Sequence, residues 1–215
     1  MGVTQGAGLS LKWFRDNFAQ AEIEAARLMG KDPYELMNVE AAKVPIGANK
    51  LLYLPYLNGE RTPHLDPAAR GVFFGLSVMH TKSELVRAVM EGVSYSLTDC
   101  VEVMREMNIS VSDMAACGGG GKSPLWRQML ADLYGCPVKT MQSDEGPALG
   151  VAILAAVGTG VYGSVAEACS AIIRSKSEQP PVAENTASYR KVYGMYRSLY
   201  PAFKESYAKL AALDV

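Results

Sequence analysis

MAACGGGGKSPLW, residues 114–126, decides how the fold of this chain is read. A short apolar run ends there at four consecutive glycines, Gly118–Gly121, and Pro124 then opens an amphipathic segment. Short apolar runs are typical of buried strands, and proline is favoured in the first turn of a helix. The stretch therefore predicts a strand, a glycine-rich turn and a helix, which together form a unit of an α/β fold.

The glycine run ends like a phosphate-binding P-loop but lacks the first residue of that motif. A P-loop requires the pattern G-x-x-x-x-G-K-[ST], whose backbone amides surround the phosphates. Gly121, Lys122 and Ser123 supply the end of the pattern, but Ala116 stands where its first glycine belongs. We therefore assign no P-loop to this chain.

Two other interpretations of the glycines stay open from the residues alone. Glycines without a Cβ let a ligand lie directly on the backbone, and free N–H groups at the start of the next helix can face it. In open α/β sheets, ligands bind at the carboxyl ends of strands, where this run is predicted to lie. Alternatively, the glycines form a tight strand-to-helix turn with close packing.

Strands and helices alternate on both sides of this stretch. Periodicity predicts helices over 8–30, 33–42, 81–107, 123–134, 146–157 and 185–213, and strands over 51–57, 71–77, 114–117 and 137–142, with 177–185 as a connector. This order indicates an α/β fold with some parallel strand pairing. Aromatic residues follow one face of the last helix, which favours packing along the domain over a stacking platform for bases.

Composition excludes several classes of partner for this chain of 215 residues. Lys plus Arg number 21 and Asp plus Glu 22, so no basic field favours nucleic acid or an anionic membrane. No apolar run approaches the ~20 residues that a membrane helix needs. Four cysteines without a CxxC pair predict buried free thiols in a reducing cytosol.

Two polar features allow both a functional and a structural interpretation. The loop 59–64, followed by Asp66 and Arg70, is dense in ionisable groups. It could contact a polar substrate or phosphates, or form a solvated loop with internal ion pairs. Glu145 precedes the predicted helix 146–157, where a negative charge is favoured by the helix dipole.

Several motifs in order resemble one known family. They are GERTPH (59–64), GVFFGLS (71–77), MEG (90–92), GGGGKSPLWRQMLADLYGCPV (118–138) and EGPALGVAILAAVG (145–158). This order is similar to the C-terminal half of the FGGY carbohydrate kinases, and its details are most similar to the xylulokinases of that family. The resemblance covers essentially the whole chain.

The resemblance implies an actin-like ATPase (ribonuclease H-like) domain, with a mixed sheet flanked by helices. Residues 1–215 would be the C-terminal, ATP-binding domain, and the N-terminal sugar-binding domain would be absent. The implied activity is that of the ATP-binding half of a xylulokinase, which uses ATP and Mg²⁺ to phosphorylate D-xylulose in the cytoplasm. Another sugar kinase of the family, such as a gluconokinase, or a non-catalytic nucleotide-binding module are the alternatives.

The resemblance also assigns roles to the missing domain. In the family, the catalytic base and an aspartate associated with metal and phosphate lie in the N-terminal domain. We therefore assign no catalytic residue and no metal ligand to this chain, and we expect negligible kinase activity from it alone. The exposed cleft face could also drive self-association into a homodimer.

The resemblance implies six nucleotide-binding residues, Gly8, Lys12, Gly118, Gly119, Gly120 and Ser123. Gly119 and Gly120 would lie against adenine, and Gly8 would approach the phosphates with Lys12 nearby. Ser123 stands where glycerol kinases carry an asparagine near adenine, so an adenine hydrogen bond at Ser123 stays open.

Overall fold

Two small sheets and the helices around them make up the structure, a computed structural model that describes residues 1–143 and 146–214. The helices are α1 (Ala7–Phe18), α2 (Gln20–Met29), α3 (Pro33–Ala42), α4 (Lys82–Glu106), α5 (Gly118–Lys122), α6 (Pro124–Tyr134), α7 (Gly146–Gly158), α8 (Val165–Ile172) and α9 (Ala183–Ala211). The strands are β1 (Leu52–Leu54), β2 (Val72–Phe74), β3 (Met114–Ala115), β4 (Val138–Met141) and β5 (Ser175–Gln179).

The sheets show the predicted mixture of parallel and antiparallel pairing. Strands β1 and β2 pair antiparallel, whereas β3 and β4 pair parallel, with α5 and α6 between them in the chain. Strand β5 then adds to β4 in the antiparallel direction. The parallel step across β3, α6 and β4 confirms the α/β unit predicted from residues 114–142.

Helix α4 is the central element, and it forms where the sequence predicts it. Its start carries a capping box, in which Thr81 N donates to the Glu84 carboxylate at 2.8 Å. Hydrogen bonds from Thr81 lower the pKa of Glu84 to about 2. Gly92 lies where α4 crosses β1, and a Cβ there would lie 2.1 Å from the carbonyl oxygen of Tyr53. Only glycine permits this close approach of helix and strand.

Several predicted boundaries are wrong. The predicted helix 8–30 is two helices, because the chain bends at Ala19, which is fully buried. The predicted strands 51–57 and 71–77 shrink to three residues each, and a positive φ at Gly75 ends the second. The predicted helix-start charge at Glu145 lies outside the described residues.

The C-terminal part contains two elements that periodicity does not predict. Helix α8 is capped by Ser164, whose side chain accepts from Glu167 N. Strand β5 occupies part of the predicted connector 177–185, so that prediction is wrong there. Its side chains are mostly exposed, and backbone pairing with β4 holds it in place.

The aromatic face of α9 packs inward, as predicted. Tyr189, Tyr196 and Tyr207 are buried, and the Tyr189 hydroxyl lies 2.9 Å from an Arg87 nitrogen on α4.

The prediction that the four cysteines are buried free thiols is only partly right. All four cysteines are free, but Cys117 is exposed at the end of β3 and Cys169 is half-buried. None of the described helices is long and apolar enough to cross a membrane.

Asp99→Asn is expected to remove a pH dependence of stability. Burial raises the pKa of Asp99 from 3.8 to about 6, and the Tyr193 hydroxyl, which donates to it at 2.5 Å, opposes that shift. The folded state therefore holds this proton more tightly than the unfolded state, and the resulting stabilisation is lost as the pH rises from 4 to 7. Between pH 4 and pH 7, the free energy of unfolding of the wild type should fall by about 2 kcal/mol relative to that of Asp99→Asn.

Urea unfolding of the wild type and of Asp99→Asn at several pH values in this range measures the effect. The asparagine oxygen can still accept from Tyr193, so the variant retains the local hydrogen bond. A difference in unfolding free energy that stays constant from pH 4 to pH 7 would contradict the prediction.

Candidate functional site

A cavity of about 500 Å³ opens beside the glycine helix α5, where α5 faces α1 and α3. This volume is within the usual range of small-molecule sites. Its lining comprises Gly8, Leu11, Asp32, Tyr34, Glu35, Asn38, Gly119, Gly120, Lys122, Ser123, Pro124 and Trp126. The structure thus brings together four of the six predicted site residues: Gly8, Gly119, Gly120 and Ser123.

The other two predicted residues lie outside this cavity. Gly118 lines a separate cavity of about 420 Å³, whose walls include Arg127 and Lys176. Lys12 is exposed on α1, one helical turn after Gly8, and does not line the cavity beside α5. The geometry therefore gives Gly118 and Lys12 no direct place in the candidate site.

The four glycines have different local surroundings. Gly118 has a φ of +73°, which favours glycine, and a Cβ on Gly121 would lie 2.9 Å from the carbonyl oxygen of Ala116. A Cβ on Gly120 would contact the Trp126 ring at 3.4 Å, whereas one on Gly119 would meet nothing within 4 Å. The tight-turn interpretation thus applies to Gly118 through its φ and to Gly121 through close packing, whereas Gly119 has neither constraint and leaves space that packing does not use.

Ser123 joins the glycine helix to α6 and connects both to α3. Its side chain accepts from Trp126 N at 3.1 Å, which caps α6, and Pro124 occupies the first helical position as predicted. The same hydroxyl donates to Asn38 Oδ1 at 3.0 Å. Trp126 is fixed in turn, because its Nε1 donates to Ser94 Oγ at 2.9 Å on α4.

Helix α3 supplies an aromatic wall to the cavity. Asp32 caps the helix by accepting from Tyr34 N at 2.9 Å, so the Tyr34 side chain follows in the first turn. The Arg15 guanidinium carbon lies 4.9 Å from the centroid of the Tyr34 ring. Burial raises the pKa of Tyr34, whose phenol is neutral near pH 7 even without this shift. Tyr34 thus gives the cavity a flat, uncharged surface, and Arg15 contacts the same ring.

The polar loop 59–64 positions the chain that leads into Gly8. Glu60 is buried, and its carboxylate accepts from Gln5 N at 3.0 Å and from Thr4 Oγ1 at 2.8 Å. Ser96 Oγ on α4 lies 3.0 Å from the same carboxylate. These contacts hold the N-terminal segment against the domain just before α1 begins. Direct substrate contact by this loop stays a prediction.

A family profile described as "FGGY family of carbohydrate kinases, C-terminal domain" matches residues 1–159. The chain belongs to this family. Two residues of its FGGY motifs have clear structural roles. Gly92 permits the close crossing of α4 and β1, and Ser123 caps α6. The later elements α8, β5 and α9 lie beyond the matched residues of the FGGY profile.

Individual relatives extend the FGGY likeness over nearly the whole chain. A xylulose kinase from Bacillus subtilis (strain 168) is 40% identical over 95% of this chain and 39% of its own length. A gluconokinase from Bacillus licheniformis is 37% identical over 98% of this chain and 41% of its own length. The chain therefore spans about two fifths of the curated relatives that it matches.

A solved FGGY structure agrees with the fold described above. The crystal structure of ligand-bound xylulose kinase from Lactobacillus acidophilus is similar with a TM-score of 0.82 and 29% sequence identity. The match covers 96% of this chain and 40% of that protein. The actin-like fold expected of an FGGY C-terminal domain is thereby confirmed.

The α3 residues of the site in this FGGY domain carry little signal in the sequence. The Asp32-Pro33 pair is a helix-start signal, and it places Tyr34 and Asn38 one turn apart on the same face. No local signal shows which face of α3 meets the glycine run, because that depends on how α1 and α3 pack together.

Proposed function

We propose that this FGGY domain is the ATP-binding half of a xylulokinase. The parent enzyme would transfer the γ-phosphoryl group of ATP to D-xylulose, giving ADP and D-xylulose 5-phosphate, with Mg²⁺ as the metal. One observation carries the nucleotide part of the proposal: the open space at Gly119 faces a cavity that also contains Gly8, Gly120 and Ser123. The xylulose kinase and gluconokinase relatives support the kinase part.

The cavity beside α5 suits the adenosine end of the nucleotide. Gly119 presents bare backbone on one side, and Tyr34 presents an aromatic ring from α3 on another. A flat, mostly apolar base can stack on such surfaces. We place the phosphates toward Gly8, with Lys12 nearby in solution, although Lys12 does not line the cavity.

The proposal assigns the sugar, the catalytic base and the metal to the N-terminal domain. Phosphoryl transfer depends on positioning and on charge stabilisation by such groups. We therefore expect the 215-residue chain, mixed with ATP, Mg²⁺ and D-xylulose, to form ADP no faster than it hydrolyses ATP alone. A clear acceleration by D-xylulose would contradict this expectation. The free cysteines fit the cytoplasmic location that we propose.

Gly119→Leu is expected to weaken ADP binding by at least about tenfold, because the new side chain fills space meant for the ligand. Leucine is a good helix former, and no neighbouring atom lies within 4 Å of the added Cβ. The fold should therefore be retained. Isothermal titration calorimetry with ADP, together with circular dichroism of both proteins, measures affinity and fold in parallel.

Gly194→Leu is the matched control for this substitution. Gly194 lies in α9, is exposed, and also has no atom within 4 Å of an added Cβ. It should bind ADP like the wild type. If Gly119→Leu and Gly194→Leu both keep wild-type affinity, the assignment of the cavity to the nucleotide is wrong.

A gluconokinase is the second candidate for the parent enzyme, because the gluconokinase relative is nearly as similar as the xylulose kinase. Gly8, Gly119, Gly120 and Ser123 are proposed to contact the nucleotide, and they carry no signal for the sugar. Phosphorylation rates of the full-length parent with D-xylulose and D-gluconate would separate the two. A strong preference for D-gluconate would overturn the xylulokinase assignment while keeping the nucleotide site.

A further inference from the structure

Asn38 carries the one amide side chain among the described residues that line the cavity beside α5. It lies on α3, one turn after Tyr34, and is half-buried. Its Oδ1 accepts a hydrogen bond from Ser123 Oγ at 3.0 Å, which ties it to the residue that directly follows the glycine helix. The amide is thus held beside Gly119 and Gly120 by a defined contact.

The link to Ser123 also fixes which end of the amide faces which neighbour. Ser123 Oγ accepts from Trp126 N, so its proton is available for Asn38 Oδ1. The contact uses one lone pair of Oδ1, and an amide oxygen can accept a second hydrogen bond. Ser123 therefore acts on the cavity through Asn38 as well as through its own hydroxyl.

An amide side chain matches the hydrogen-bonding pattern of adenine. Adenine presents an amino donor next to a ring-nitrogen acceptor on either exposed edge, and an asparagine can accept from the first and donate to the second. Hypoxanthine has the same ring size but carries a carbonyl acceptor in place of that amino group. An oriented amide therefore distinguishes the two bases where an apolar wall does not.

We propose that Asn38 is the residue that selects adenine in this cavity, held in orientation by Ser123. The inference rests on the proposed nucleotide function and adds to it the residue that sets base specificity. In this arrangement the glycines provide the surface on which the base lies, and Ser123 positions the Asn38 amide.

The test compares ADP with inosine diphosphate (IDP) as ligands of the 215-residue chain by calorimetry. The wild type should bind ADP about tenfold more tightly than IDP, the size expected for one oriented amide pair. Asn38→Ala should weaken ADP binding about tenfold and leave IDP binding nearly unchanged, so that the ratio of affinities falls to about one. The change in the ratio matters most, since damage to the fold would weaken both ligands equally.

Asn38→Leu removes both the acceptor and the donor of the amide in a side chain of similar shape, and leucine is a good helix former. It should also bring the ADP to IDP ratio close to one, and it guards against a failure of Asn38→Ala to fold. Asn17→Ala is the matched control, because Asn17 is exposed on α1 and its Nδ2 donates to Trp13 O at 2.8 Å. It should keep the wild-type ratio.

Each outcome decides the proposal. Equal binding of ADP and IDP by the wild type overturns it, and so does an Asn38→Ala variant that keeps the wild-type ratio. In both cases the nucleotide function stands, because ADP still binds. A wild-type chain that binds neither ligand at millimolar concentration overturns the proposed function, and the role of Asn38 falls with it.

Discussion

Glu91→Ala is expected to lower the free energy of unfolding by about 3–5 kcal/mol, because it leaves a buried guanidinium without its charge partner. Arg87 Nε donates to Glu91 Oε1 at 2.6 Å, and both side chains are almost fully buried. The pair lies one turn apart on α4, in the middle of the core. Removing one partner of such a pair exposes the full cost of desolvating the other.

The carboxylate of Glu91 also accepts hydrogen bonds from three other groups in the core. Gly47 N donates to it at 3.0 Å, the Tyr95 hydroxyl at 3.2 Å and the Tyr189 hydroxyl at 3.4 Å. Burial raises the pKa of Glu91, and the adjacent Arg87 guanidinium opposes this shift. The alanine variant would leave all of these donors without their acceptor, so relaxation of one side chain cannot compensate.

Glu102→Ala is the matched control on the same helix. Glu102 pairs with Arg105 near the surface of α4, and exposed pairs contribute only about 0–1 kcal/mol. Urea unfolding followed by circular dichroism gives both values. The double variant Arg87→Met with Glu91→Leu should recover only part of the loss, because it removes the unpaired guanidinium but still leaves Gly47 N and Tyr95 without their acceptor. A loss below about 1 kcal/mol for Glu91→Ala would contradict this account.

The long elements with a strong apolar periodicity could be predicted from the sequence, but their boundaries could be predicted less accurately. Helix α4 could be predicted because apolar residues recur along it at three- and four-residue steps. Helix α6 follows from Ser123 and Pro124, which are strong start signals. Resemblance to a family then supplied the fold class, which periodicity alone leaves broad.

The missed elements have little local signal. Helix α5 consists of residues 118–122, four of which are glycines, although glycine has nearly the lowest helix propensity of all residues. Strand β5 lacks an apolar alternation, since Lys176 and Glu178 are typical of an edge strand that is held by its backbone. The bend at Ala19 depends on where the core lies, which no window of sequence contains.

The candidate site was predictable where it rests on glycines and not where it rests on tertiary packing. Gly8 and Gly119 lie more than a hundred positions apart, so no local pattern joins them, and only the family resemblance places both at one site. Asn38 and Tyr34 line the cavity because α3 packs against α2 and α4, which depends on the buried faces of several helices. Gly118 was predicted as a ligand contact, but its φ of +73° is by itself a sufficient reason for a glycine at this position.

Glu60→Ala is expected to destabilise the domain by about 3–4 kcal/mol and to release the segment that leads into Gly8. The substitution removes the acceptor of Gln5 N and of Arg61 N, at 3.0 and 2.7 Å, and leaves Thr4 without its 2.8 Å contact. Backbone N–H groups cannot reverse their polarity, so they must find water or remain unsatisfied.

Glu60→Gln separates the charge of Glu60 from its hydrogen bonds. One amide oxygen can still accept from Gln5 N and Arg61 N, whereas the amide nitrogen faces Thr4 and Ser96, whose hydroxyls can reverse and accept. The glutamine variant should therefore lose less than half of what the alanine variant loses. Glu205→Ala, on the exposed side of α9, is the neutral control.

Urea unfolding gives the loss of stability, and hydrogen exchange at Gln5 N reports the release of the segment directly. Exchange there should accelerate strongly in Glu60→Ala and only modestly in Glu60→Gln. Gly6 has no room to move toward the sheet, because a Cβ there would lie 1.8 Å from the carbonyl oxygen of Pro55. Unchanged exchange at Gln5 N in Glu60→Ala would show that the segment is held by other contacts.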